Sequence, residues 1–114
     1  MDISDDGRKL DPEWIEAGNN ISGSLRGCRD ASSVAEHFVR AGWRSRSSSW
    51  YAYELETSWC QVEIEPIDAS DLVLNGVVDP RRFDELADLL NRFGLRYGLE
   101  LSAADGGMVR EVRG

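Results

Sequence analysis

Histidine is nearly missing from this chain of 114 residues: His37 stands alone. A single imidazole cannot build a multi-histidine metal site, and the sequence offers His37 no obvious serine or cysteine partner for nucleophilic chemistry. Cysteine is scarce too. Cys28 and Cys60 make no C-x-x-C, and two cysteines in a reducing compartment are expected as free thiols. Lysine is reduced to Lys9, so the basic residues are nearly all arginine. No apolar run approaches the roughly 18 residues of a membrane span. The acidic start Met1-Asp2-Ile3-Ser4-Asp5-Asp6 lacks the apolar core of a secretory signal. A cytoplasmic location without membrane contact is therefore expected. Gly-rich phosphate loops, G-x-S-x-G and H-E-x-x-H are absent as well. The chain reads as a non-enzyme with no cofactor and no metal.

Positive charge is in deficit. Thirteen Lys and Arg stand against 21 Asp and Glu, a net charge of −8, and the pI is about 4.6. Phosphate backbones are bound by basic stripes, so nucleic acid is excluded as an expected partner. The chain has what a packed core needs: 41% apolar residues, four Trp, three Tyr and three Phe. Its length suits one domain, expected over residues 11–114, with 1–10 a frayed polar tail.

Asp11-Pro12-Glu13-Trp14 is a helix start, with Asp as N-cap and Pro at the first position, ended by Gly18. Residues 21–29, rich in Ser and Gly, read as a loop. The first core helix is expected over 33–41. It opens with a capping-box pattern, Ser33-Val34-Ala35-Glu36, carries Val34, Phe38 and Ala41 on one stripe, and stops at Gly42. Residues 44–49 read as a polar loop, with Arg40, Arg44 and Arg46 placed favourably near the helix end. A third strand is expected at 71–78. Asp79-Pro80 then opens a second helix bearing Phe83, Leu86, Leu90 and Phe93, stopped by Gly94. Strands at 95–101 and 108–112 follow, around a turn at 104–107.

Between the first helix and the third strand lies the most regular stretch, 51–65. Two alternating strands, 51–56 and 59–65, are expected around a turn at Thr57-Ser58. That register sets Glu56 opposite Trp59, Leu55 opposite Cys60 and Tyr53 opposite Val62. It gathers Tyr51, Tyr53, Leu55, Cys60, Val62 and Ile64 on one face. The other face carries Glu54, Glu56, Glu63 and Glu65 with Trp59 and Gln61, and Glu100 joins them if its strand lies nearby. The fold class that follows is α+β: an antiparallel sheet of about five strands with two main helices on one face, in the order α-β-β-β-α-β-β, plus a short N-terminal helix.

Clustered carboxylates oppose folding, so a sequence that keeps them is read as using their field on a cationic partner. The bland reading is a solvated sheet face. A carboxylate-based enzyme needs a concave pocket that a flat sheet does not supply. The expected partner-binding residues are therefore Glu54, Glu56, Trp59, Gln61, Glu63 and Glu65, and the expected partner is a protein with a basic surface. In size, acidity and lack of catalytic motifs the chain is similar to immunity proteins, which neutralise bacterial toxins. The element order over 33–112 resembles small acidic type III secretion chaperones. That resemblance implies a partner segment held in extended form, and a homodimer.

Overall fold

The computed structural model describes residues 7–28, 30–68, 70–103 and 107–114. They form one antiparallel sheet of seven strands. In chain order these are β1 (Ile21–Arg26), β2 (Arg44–Ser47), β3 (Tyr53–Thr57), β4 (Cys60–Pro66), β5 (Asp71–Val78), β6 (Arg96–Ser102) and β7 (Met108–Arg113). Across the sheet they run β2-β3-β4-β5-β1-β6-β7. Three α-helices accompany them: α1 (Pro12–Ile15), α2 (Ala31–Arg40) and α3 (Phe83–Arg92), the last entered through a 3-10 turn at Pro80–Arg82.

Two crossovers build this order. The strands alternate in direction, so β1 and β2 run parallel with three strands between them, and α2 carries the chain across. Strands β5 and β6 likewise run parallel on either side of β1, and α3 makes the connection. Each helix spends its apolar stripe on the same sheet face. From α2 come Ala31, Val34, Ala35 and Phe38. From α3 come Phe83, Leu86, Ala87, Leu89 and Leu90. They meet Ile21, Leu25, Leu55, Val62, Ile64, Leu72, Leu74, Tyr97 and Leu99 in one core. Both helices stop where Gly42 (φ 94°) and Gly94 (φ 75°) take the left-handed conformation. An aromatic chain ties the layers: Phe38 meets Phe93 and Trp43 edge-on at 5.1 and 4.8 Å, and Trp43 meets Trp59 at 5.4 Å.

The coarse expectation holds, since the fold is α+β with two main helices on an antiparallel sheet. Strand β5 and the two glycine stops fall where expected. Five strands become seven, because two segments expected as loops are strands. Residues 21–26 form β1, at the centre of the sheet. Ile21, Gly23 and Leu25 alternate toward the core, while Ser22, Ser24 and Arg26 point away. Arg44–Ser47 form the edge strand β2. The cap of α2 is Asp30, whose side chain accepts the Ser33 N–H at 2.7 Å, so the helix starts at Ala31 and Ser33 is not its cap.

The hairpin turn lies one residue later than expected, at Ser58-Trp59. Thr57 therefore pairs with Cys60, Leu55 with Val62, Glu54 with Glu63 and Tyr53 with Ile64. Moving a turn by one residue displaces every partner by two, so each side chain keeps its face. Tyr51 falls outside the strand and is exposed. The tail expected over 1–10 is tied down at its end. Leu10 is buried, its N–H donates to Glu56 Oε2 at 2.7 Å, and the Asp11 N–H donates to the Ser58 carbonyl at 2.8 Å. Residues 1–6, and 104–106 of the expected last turn, lie outside the described residues.

Candidate functional site

The alternation that sends Leu55, Val62 and Ile64 into the core sends their neighbours to the opposite face, where neither α2 nor α3 packs. The cross-strand pairs on that face align into rows. One row crosses all seven strands. Arg46 pairs with Glu54, Glu54 with Glu63, Glu63 with Asn75, Asn75 with Ser22, and Ser22 with Glu100. Glu100 then pairs with Glu111. Four carboxylates thus share one line. Two pairs of them, Glu54–Glu63 and Glu100–Glu111, stand directly opposite each other, an arrangement that destabilises a sheet.

Part of this charge is answered within the chain. Glu54 Oε1 accepts from Arg46 Nε at 3.1 Å, Arg46 Nη2 at 2.7 Å and Gln61 Nε2 at 2.8 Å. Glu56 is buried. It accepts the Leu10 N–H and lies 3.8 and 3.6 Å from the Arg44 and Arg46 guanidinium groups. Glu111 lies 3.6 Å from Arg113. Glu63, Glu65 and Glu100 have no ion pair or hydrogen bond from their side chains among the described residues, and all three are exposed. Glu63 and Glu100 share the row three strand spacings apart, about 14 Å.

Of the six side chains expected to form the site, five share this face: Glu54, Glu56, Gln61, Glu63 and Glu65. They divide into a structural group, Glu54 and Glu56 with their arginines and Gln61 bonded to Glu54, and a free pair, Glu63 and Glu65. Trp59 does not belong with them. It occupies the hairpin turn and is buried against Trp43, with the Arg82 guanidinium 4.8 Å above its ring. Glu100 joins the row, as expected of a nearby strand, though β5 and β1 separate it from the hairpin. Ser22, Asn75 and Glu111 were missed by sequence reasoning. For Ser22 the signal was the period-two placement of Ile21, Gly23 and Leu25, masked by serine and glycine. Asn75 and Glu111 lie in strands that were expected, and are brought into the row by the non-local pairing of β1 with β5 and β6. Arg44 and Arg46 serve as partners of the carboxylates rather than as helix-end charges.

The face is not flat. An open trough of about 360 Å³ lies over β5, β1, β6 and β7, with Ser22, Ser24, Val73, Gly98, Glu100 and Arg113 around it. A second depression, of about 250 Å³, is bounded by Asn19, Glu54, Gln61, Glu63, Asn75 and Val77. No group of three or more metal-ligating side chains occurs among the described residues.

His37 is elsewhere. Its ring stacks on Phe93 at 5.1 Å, as a boundary histidine of the helix does. The fold brings Cys28 to the same 290 Å³ cavity, a proximity the sequence does not show. Both cysteines are free and buried. Burial, with Asp71 and Asp30 nearby, pushes the Cys28 thiol up, and burial pushes the Cys60 thiol up further. A thiol held protonated is the reverse of an activated nucleophile.

No helix among the described residues is long and apolar enough to cross a membrane. Comparison of the chain with protein-family models, with curated proteins and with solved structures finds no match.

Proposed function

We propose that the open sheet face is a protein-binding surface that masks a basic partner, in the manner of an immunity protein neutralising a bacterial toxin, and that the chain does this without catalysis. One observation carries the reading: a row of four carboxylates that crosses the sheet with two like-charge pairs directly opposed. A merely solvated face has no need of such pairs, and alternating signs at the same positions would favour the fold. Arg46 and Gln61 answer Glu54, which leaves Glu63, Glu65 and Glu100 available for cationic groups of a partner. A net charge of −8 adds long-range attraction and steers association.

The test is co-purification with the product of the adjacent gene, comparing wild type with Glu63→Gln/Glu100→Gln. Both residues are exposed, so the fold tolerates the change. Complex formation is expected to weaken about tenfold, equivalent to about 1.4 kcal/mol, and to weaken in wild type as salt is added. Binding that is indifferent to both the substitution and salt would sink the proposed surface.

A further inference from the structure

The aromatic partner expected beside the carboxylates, Trp59, is 7% exposed, whereas Trp50 is 95% exposed and Tyr51 76%. Both lie in the segment joining β2 to β3. Ile67, 59% exposed, follows the neighbouring strand β4. Trp50 and Tyr51 lead into β3 at the end where Ile67 leads out of β4, so the three share one end of the sheet. Glu65, the last open-face carboxylate of β4, stands two residues before Ile67. Asp68 follows, its carboxylate accepting the Ser70 and Asp71 N–H groups at 2.8 Å each.

Large aromatic side chains gain most from being covered, each burying about 150–250 Å². They also lose little conformational freedom on binding, which makes exposed Trp and Tyr the usual anchors of interfaces. We infer that Trp50, Tyr51 and Ile67 are the apolar anchor of the interface whose charged part is Glu63 and Glu65, and that the partner is a protein surface with an apolar pocket bordered by Lys or Arg. This deepens the acidic-face reading and rests on it. Charge decides the occupant. Carboxylates flank the tip and the chain carries −8, so a second copy and an anionic bilayer are both repelled, while cationic groups are drawn to the carboxylates and to the face of the Trp50 ring.

The test is selection of a displayed random-peptide library on the wild-type protein, followed by affinity measurement on two variants, Trp50→Ala/Tyr51→Ala and Glu63→Gln/Glu65→Gln. All four side chains are exposed, and native circular dichroism is expected of both variants. Enriched peptides are expected to combine Lys or Arg with a bulky apolar residue and to lose about tenfold or more in affinity on each variant. They are also expected to shift Trp50 emission to the blue. Peptides that bind the aromatic variant as well as wild type, yet weaken on the carboxylate variant, overturn the anchor and leave the acidic-face reading standing. Peptides that weaken on the aromatic variant alone overturn the joint interface and the acidic-face reading with it. A blue shift on adding phosphatidylcholine vesicles, or a library that yields no enriched peptide, overturns the protein pocket as occupant.

Discussion

Asp79 stands where β5 hands the chain to α3, and its side chain does several things at once. It is buried, and its N–H donates to the Trp59 carbonyl at 2.8 Å. Its carboxylate accepts from the Arg81 N–H at 2.9 Å, Arg81 Nε at 3.2 Å and Arg81 Nη2 at 3.0 Å. The Arg81 hydrogen bonds hold the carboxyl below its ordinary value, although burial acts the other way. A depressed folded pKa contributes stability that is present above the unfolded value, about 3.9, and is lost as pH falls through the folded value. Asp79→Ala is therefore expected to cost about 1 kcal/mol at pH 7 as a lost cap. The difference from wild type should shrink as the pH is lowered below 4, which urea denaturation at pH 7 and pH 3 measures. A cost unchanged at pH 3 would mean that the carboxylate charge contributes nothing.

Strand β1 shows what glycine does at the scale of an element. A Cβ on Gly23 would stand 2.2 Å from the Gly98 carbonyl oxygen, and one on Gly76 would stand 2.0 Å from the Gln61 oxygen. Both obstacles are backbone, which cannot turn aside. A Cβ on Gly98 would meet only Ser24 Oγ, at 3.9 Å. Gly76→Ala is therefore expected to destabilise by about 2 kcal/mol through overpacking, while Gly98→Ala stays near zero or stabilises slightly. Denaturant titration of the two variants gives the comparison, and equal effects would refute the close-approach account. The same residues explain why β1 was hidden. Ser-Gly-Ser has the composition of a loop, and its place between β5 and β6 is fixed by non-local pairing. Where apolar alternation was strong, as over 60–65 and 71–78, strand and face were legible. The hairpin register was legible only to within a two-residue shift, because period two repeats at every second step. The carboxylate face could be read because parity survives that shift. Trp59 could not, since moving the turn by one residue turned a strand position into a buried corner. Nor could the Arg46–Glu54 pair, which depends on a serine-rich strand with no apolar pattern of its own.

Across the whole molecule the charge layout sets stability against binding. The carboxylate row runs from β3 to β7 with Asn75 and Ser22 at its middle, and Arg46 caps it at one end. The exposed ion pairs Arg82–Glu85 at 2.9 Å and Arg110–Asp84 at 2.8 Å lie on or beside α3 and do nothing for the open face. Glu63 and Glu100 thus face like charges within a molecule whose net charge is already −8. Removing their charge relieves two directly opposed repulsions and part of the general one. Glu63→Gln/Glu100→Gln is expected to raise Tm by about 2 °C at low ionic strength. The gain should disappear at about 0.5 M salt, where the screening length falls to a few ångströms. The same variant is the one expected to bind the basic partner more weakly. Thermal unfolding at two salt concentrations therefore separates the alternatives before any partner is in hand. A gain that salt abolishes marks carboxylates kept against the interest of the fold, as a binding surface requires. A loss of Tm would instead make Glu63 and Glu100 supports of the sheet, and would remove the reason for reading the face as an interface.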